Sequence, residues 1–142
     1  DSSCWVRGNL NTLAQALENL LRNAIRHSPK SGVVSLGGRR DGDFWHVWLE
    51  DEGGGVAEAD IERIFSPFIR LDGSRPGDGG FGLGLSIARN AVRRQGGQLW
   101  AQNTGTGLRL NMRLLAVNVS ASDDAIAGKP THTMNVCRPH RV

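Results

Sequence analysis

The sequence predicts a single α/β domain, and three observations support this prediction. Two stretches place apolar residues at the spacing of an amphipathic helix, and several shorter runs have the alternating character of β-strands. A glycine-rich hexad, residues 80–85, leads straight into the second helical stretch. A chain of 142 residues is long enough for one substantial core and too short for two comfortable ones.

The chain is predicted to begin with a strand and a long helix. A short strand over 4–7 precedes a helix over 10–27, whose leucines recur on one face. Asn9 or Asn11 could cap the start of this helix. Pro29 ends it, because proline disfavours helical geometry in the residue before it.

Four further runs are predicted to form two strand pairs. Strands over 33–40 and 44–50 flank a hairpin signal, and strands over 98–103 and 108–115 flank a second glycine-rich turn. The side chains expected to face the core are Val34, Leu36, Trp45, Val47, Leu49, Leu108, Leu110, Met112 and Leu114.

Between these pairs the sequence predicts a short helix, a segment without anchors and a second long helix. Residues 71–79 offer no apolar side chain after the first, so we expect this segment to be mobile and to order over a bound ligand. The second helix is predicted over 82–95. Residues 1–116 therefore form the domain, and residues 117–142, which lack any period, are predicted to be a disordered tail. The short helix is predicted to carry Ile61, Ile64, Phe65 and Phe68 on one side.

Composition excludes several classes of function. Apolar residues make up 39% and charged residues 22%, with no run near 18 apolar residues, so we expect no membrane contact by this domain. The net charge of +3 comes largely from scattered arginines, which argues against a nucleic-acid face. Cys4 and Cys137 lack metal-ligand spacing and fit a reduced, cytoplasmic setting.

The hexad has the character of a phosphate-binding element. Gly80, Gly82 and Gly84 allow the backbone to approach a ligand closely. The free amides of a helix N-terminus follow at once, and such amides attract phosphate. Taken alone, the hexad is equally consistent with a glycine-rich turn before an ordinary helix.

Polar side chains in two other places point to a nucleotide. Asn19, Asn23 and Arg26 form a strip beside the leucine face of the first helix, where amides could hold a metal ion or phosphate oxygens. The alternative is the polar boundary of an amphipathic helix. Asp51 ends a strand just before Gly53, so its carboxylate could accept a hydrogen bond from the amine of adenine. The alternative there is a plain turn.

Four motifs in order resemble those of bacterial sensor histidine kinases. Residues 19–24, 51–55, 65–68 and 80–85 are similar to the N box, first glycine box, F box and second glycine box, and the resemblance covers about residues 5–115. It implies the Bergerat ATP-binding fold, an α/β two-layer sandwich with a mixed β-sheet and helices on one face. It also implies ATP and Mg²⁺ as cofactors.

The resemblance implies roles for particular residues. Asn23 matches the Mg²⁺ ligand, with Asn19 and Arg26 near the phosphates, and Asp51 matches the adenine-recognising aspartate. Arg70 and Arg75 flank or lie on the segment expected to close over the nucleotide, and Arg75 could reach the γ-phosphate when it closes. The other implied nucleotide contacts are His27, which could instead cap its helix, and Gly53, Gly55, Phe68, Arg70, Gly80, Gly82, Leu83, Gly84 and Leu85.

One part of the family pattern is missing. The phosphoacceptor histidine of these kinases lies in a helical dimerisation domain, and none of His27, His46, His132 and His140 has its sequence context. The resemblance therefore implies the catalytic half of a kinase. Its partners would be the dimerisation domain of the same kinase and, downstream, a response regulator. The chain does not begin with Met, which suggests a longer parent, expected to be an inner-membrane sensor.

Two other functions share such a pocket. Gyrase-type, mismatch-repair and chaperone ATPases place a water-activating glutamate one turn before the metal-binding asparagine. Here that position is Asn19, and an amide cannot act as a general base. A module that senses ATP without turnover is the other alternative. The sequence favours the kinase.

Overall fold

The structure is a computed structural model, and it describes residues 5–67, 84–117 and 133–135. Two single turns of 3-10 helix, Glu58–Asp60 and Arg63–Phe65, stand where the sequence predicted a short helix. The helices and strands are β1 (Trp5–Arg7), α1 (Leu10–His27), β2 (Ser35–Asp41), β3 (Phe44–Glu50), α2 (Gly84–Arg94), β4 (Gln98–Asn103), β5 (Leu108–Leu115) and β6 (Thr133–Asn135).

The main sheet has four strands in the order β2-β3-β5-β4, and each neighbouring pair is antiparallel. The described sheet is therefore antiparallel, whereas the resemblance implied a mixed one. The reason lies in the strand order. β3 and β4 run in the same direction, but β5 lies between them and separates what would otherwise be a parallel pair. The predicted α/β fold class is confirmed.

A second, two-stranded sheet joins β1 to β6. Val6 of β1 also forms an isolated bridge with Ala116, directly after β5. β6 lies within the stretch predicted to be a disordered tail, so for residues 133–135 that prediction is wrong. The rest of that tail beyond residue 117 lies outside the described residues.

Helix α1 begins and ends for identifiable reasons. The Asn9 side chain accepts a hydrogen bond from the Thr12 amide at 3.0 Å, so Asn9 is the N-cap. At the other end, the Ser28 amide donates to Ala24 and the chain turns into extended geometry before Pro29. Among the described residues, no helix is long and apolar enough to cross a membrane.

The two helices cover one face of the sheet. The Asn9 amide donates to Gln95 Oε1 at 2.8 Å, while Gly84 lies beside Asn19, so α1 and α2 run in opposite directions. The predicted inward side chains of β5 are all buried, as are Val47 and Leu49, and burial of each such side chain contributes about 1.5–3 kcal/mol. Leu36 was expected in the core but is 53% exposed, because β2 is the edge strand.

The opposite face of the sheet is polar and aromatic. Asn111 lies there between Trp48 and Trp100 in register and is fully buried. Its Nδ2 donates to Gln102 Oε1 at 3.0 Å, and its Oδ1 accepts from His46 Nε2 at 2.8 Å. A network of side-chain hydrogen bonds therefore links three strands on the face of the sheet that the helices do not cover.

Candidate functional site

Asp51 is the buried carboxylate of the candidate site. It follows β3 directly and is 4% exposed. Its Oδ1 accepts hydrogen bonds from the amides of Gly53 at 2.9 Å and Leu108 at 3.3 Å, and its own amide donates to the Leu108 carbonyl at 3.0 Å. Within the described part of the chain, Oδ2 accepts no hydrogen bond. The carboxylate is thus held by one oxygen and can accept a ligand donor with the other.

Two glycines let the 51–56 loop pack closely against its neighbours. A Cβ on Gly53 would lie 2.2 Å from the carbonyl oxygen of His27, at the end of α1. Gly55 has a φ of 74°, and its Cβ would lie 2.5 Å from Asn103 Oδ1. Side chains at these positions would push the loop away from both α1 and β4. The predicted role of the glycines in shaping a pocket thus has a steric basis.

The turn between β4 and β5 supports the same loop, and the sequence motifs did not include it. The Gly54 amide donates to the Thr106 carbonyl at 3.1 Å. A Cβ on Gly107 would lie 2.0 Å from the Asp51 carbonyl oxygen and 2.8 Å from its Oδ1. The glycine-rich composition of the turn was visible in the sequence, but its proximity to Asp51 depends on the pairing of distant strands.

The asparagine strip lies on α1 beside the start of α2. Asn19 and Asn23 are half-buried, and among the described residues neither side chain makes a hydrogen bond. A Cβ on Gly84 would lie 3.9 Å from Asn19 Cβ and Cγ, so the first residue of α2 is close to the strip. Arg26 is exposed on the same helix. The structure therefore brings the N box and the end of the second glycine box together.

Of the other predicted site residues, His27 and Leu85 lie within the described part of the chain. His27 is exposed, and its carbonyl meets Gly53, so the end of α1 adjoins the loop of Asp51. Leu85 is 8% exposed and belongs to the core. The residues that lie outside the described part of the chain are Phe68, Arg70, Arg75, Gly80, Gly82 and Leu83, together with the segment 71–79.

The second 3-10 turn is joined to α2 by one arginine. Arg89 donates to both carboxylate oxygens of Glu62, at 3.0 and 3.5 Å, and its guanidinium lies 4.3 Å from the centre of the Phe65 ring. A cavity of about 520 Å³ adjoins this contact and includes Ser66 and Arg93 in its lining. The contact fixes the turn of the F box against the helix that follows the second glycine box.

The donors of the strip fit Mg²⁺ better than a softer metal. Within the described residues, no group of three or more His, Cys, Asp or Glu side chains could hold a metal ion. Mg²⁺ prefers oxygen ligands, keeps several waters and is commonly bound by one or two protein oxygens together with phosphate. Asn19 and Asn23 supply amide oxygens of this kind, and Asn19 lies beside the first residue of α2.

Comparison with known proteins identifies the class. Residues 8–117 match the family described as histidine kinase-, DNA gyrase B- and HSP90-like ATPase, and the chain belongs to this family. Its fold is that of a sensor histidine kinase catalytic domain. The mycobacterial sensor histidine kinase MprB matches with a TM-score of 0.72 and 27% identity, over 81% of this chain and 80% of that one.

Individual relatives refine this placement. The chain is 61% identical to the sensor protein PfeS of Pseudomonas aeruginosa over 113 residues, which is 80% of this chain and 25% of PfeS. It therefore spans about a quarter of the length of that relative. The structure of full-length ShkA in complex with AMPPNP matches with a TM-score of 0.65 and 28% identity, over 78% of this chain and 22% of that one.

Proposed function

We propose that this chain is the ATP-binding catalytic domain of a sensor histidine kinase and transfers the γ-phosphoryl group of ATP to a histidine on a dimerisation domain. The observation that carries the proposal is the buried Asp51 carboxylate, held through Oδ1 and open at Oδ2, beside the asparagine strip of α1. An adenine amine would donate to Oδ2. We call the 51–56 loop with Asn103 and Gly107 the adenine end of the site.

The other end of the site would receive the triphosphate. We call Asn19, Asn23, Arg26 and the start of α2 at Gly84 the phosphate end. Asn23 would hold Mg²⁺ through its amide oxygen, and the ion would neutralise charge on the phosphate oxygens. Arg26 follows Asn23 by about one turn of α1 and would add positive charge beside the phosphates. Phosphoryl transfer depends mainly on such alignment and charge neutralisation.

The absence of a base at position 19 favours transfer over hydrolysis. The Asn19 amide can hydrogen-bond a water molecule, but it cannot take a proton from it at neutral pH. Water beside the γ-phosphate would therefore not be activated by this side chain. A histidine of a partner domain would be the acceptor instead.

The partners follow from this role. We propose that the acceptor lies in the dimerisation domain of the same kinase and that a response regulator receives the phosphoryl group afterwards. The acceptor histidine would approach the γ-phosphate of the ATP that this chain holds together with Mg²⁺. The parent would be a sensor at the inner membrane, with this domain in the cytoplasm. AMPPNP in the related ShkA structure supports the choice of nucleotide.

The test is a transfer assay with γ-labelled ATP. The chain is mixed with a dimerisation domain that carries an acceptor histidine, and with a matched version in which that histidine is alanine. We expect label on the first only, stable to base and labile to acid as phosphohistidine is. We also expect little release of free phosphate by the chain alone. Rapid hydrolysis without transfer to any histidine would show an ATPase instead.

A further inference from the structure

The Asn103 side chain holds the far side of the 51–56 loop, opposite Asp51. We infer that Asn103 is a positioning residue for recognition of the base. It does not act on the reacting phosphate but fixes the loop on which the adenine end is built. This inference rests on the proposed function, since it concerns the same site. No motif of the family resemblance includes this residue.

The side-chain amide of Asn103 pairs with the backbone of Val56 in the way that a peptide group of a neighbouring strand would. Its Oδ1 accepts from the Val56 amide at 2.9 Å, and its Nδ2 donates to the Val56 carbonyl at 2.6 Å. The same Nδ2 donates to Glu58 Oε1 at 2.9 Å. Both amide hydrogens are therefore used. The reverse orientation of the amide would set donor against donor at Val56, so these partners fix the orientation.

These contacts complete a set that pins the loop along its length. Asp51 is tied to Leu108 at the start of the loop, and Gly54 is tied to Thr106 in its middle. Asn103 ties Val56 at the end and the first 3-10 turn through Glu58. Three successive parts of the loop are thus attached to β4, β5 and the turn between them. Leu108 and Thr106 bond to the loop through main-chain atoms, whereas Asn103 bonds to it through its side chain. Of these three attachments, only that of Asn103 can therefore be removed by a side-chain substitution in β4, β5 or their turn.

The consequence is a separation between binding of the base and binding of the phosphates. Without the Asn103 side-chain amide, the Val56 amide and carbonyl both lose their partners. The end of the loop at Val56 can then move relative to its start at Asp51. Val56 is half-buried, and main-chain groups that lose their partners away from water favour such a rearrangement. The phosphate end lies on α1 and at the start of α2, whereas the side-chain hydrogen bonds of Asn103 go to Val56 and Glu58. Loss of Asn103 should therefore affect discrimination among bases more than attraction for a diphosphate.

Asn111 provides a matched control. It is also an asparagine of the same sheet, and its side chain makes two hydrogen bonds, to His46 and Gln102, where that of Asn103 makes three. It lies on the opposite face of the sheet, and its side-chain hydrogen bonds go to β3 and β4 rather than to the 51–56 loop. Asn111→Ala should thus lower stability as a buried polar deletion does, without altering the loop.

The experiment is calorimetric titration of ADP and GDP, with Mg²⁺, into the wild-type chain, Asn103→Ala and Asn111→Ala. In the wild type we expect a strong preference for ADP. In Asn103→Ala we expect the ADP affinity to fall at least tenfold and the ratio of ADP to GDP affinity to approach one. In Asn111→Ala we expect a lower melting temperature with the wild-type ratio retained.

A second variant covers the case in which Asn103→Ala does not fold. Asn103→Asp keeps an acceptor for the Val56 amide but replaces the donor with a second acceptor that faces Val56 and Glu58. The same loss of discrimination is expected there. If the wild type does not bind ADP, the proposed function is wrong. If the wild type prefers ADP and both Asn103 variants keep that preference, or Asn111→Ala loses it equally, the positioning role is wrong.

Discussion

At the adenine end of the candidate site the binding groups are held by main-chain hydrogen bonds, whereas at the phosphate end they are side chains on one helix. Asp51 is buried and bonded to two backbone amides before any ligand arrives. Asn19 and Asn23 are half-buried and, within the described residues, have no side-chain hydrogen bond. The first arrangement is part of the fold, and the second is available to a ligand.

This difference predicts how substitutions should behave. A change that breaks the main-chain contacts of the adenine end should lower both stability and nucleotide affinity, because those contacts hold the loop that carries the Asp51 carboxylate. Replacing Asn19 or Asn23 at the phosphate end should lower activity and leave the free energy of unfolding nearly unchanged, since among the described residues no hydrogen bond depends on those two amides.

Asn23→Ala should lower phosphoryl transfer at least about a hundredfold, because loss of the Mg²⁺ ligand removes several kcal/mol of charge stabilisation. Alanine is a better helix former than asparagine, so the unliganded chain should be more stable by up to about 0.7 kcal/mol. Transfer assays and urea unfolding measure the two effects. Gln15→Ala, on the exposed side of the same helix, is the control and should keep full activity. Retained transfer in Asn23→Ala would contradict the metal assignment.

Asp51→Asn should separate affinity from stability at the adenine end. The amide oxygen can still accept from Gly53 and Leu108, so unfolding should change little. The amide nitrogen would face the adenine amine, donor against donor. Loss of a hydrogen bond to a charged group costs about 1.5–3 kcal/mol, or roughly ten- to a hundredfold in ADP affinity. Calorimetry that finds equal ADP affinity in both proteins would rule out Oδ2 as the acceptor.

Gly107→Ala should affect stability and affinity together. The added Cβ would lie 2.0 Å from the Asp51 carbonyl oxygen, so main-chain atoms must shift. Such overpacking costs about 1–3 kcal/mol of stability, and ADP affinity should fall with it. Gly105→Ala in the same turn is the control, since its Cβ meets nothing within 4 Å. Equal melting temperatures for the two variants would mean that the hairpin does not press on Asp51.

Glu18→Ala should have the smallest effect. Glu18 pairs with Arg22 one turn away, and the two side chains are 56% and 69% exposed. An exposed pair of this kind contributes about 0.3–0.5 kcal/mol, and less at high salt. Neither ADP affinity nor transfer should change, which a titration and a transfer assay at two salt concentrations would check. A marked loss of transfer would extend the phosphate end to the outer face of α1.

The sequence predicted the elements of the fold well, because their signals are local. The bounds of α1, β3, β4 and β5 agree with the structure, and Asn9 caps α1 as one of the two expected candidates. The exposure of Leu36 was missed, because alternation does not tell which strand lies at the edge of a sheet.

The site was only partly predictable for a related reason. Asp51 and the glycines of its loop stand in a motif, and Asn19 and Asn23 stand on one helix face. The supporting residues Asn103 and Gly107 act across 45 or more residues of chain. Their roles depend on the register of β5 against its neighbours, and no local pattern carries that register.

The position of β5 between β3 and β4 also sets the order in which the site can form during synthesis. Asp51 leaves the ribosome long before Leu108, the residue that holds its carboxylate and completes the adenine end. A nascent chain that ends before β5 already contains the N box and both glycine boxes. It lacks Leu108 and the strand that joins β3 to β4. Under the proposed function, nucleotide would therefore bind only after the last strand of the main sheet has emerged, and a chain terminated before β5 would not bind ATP.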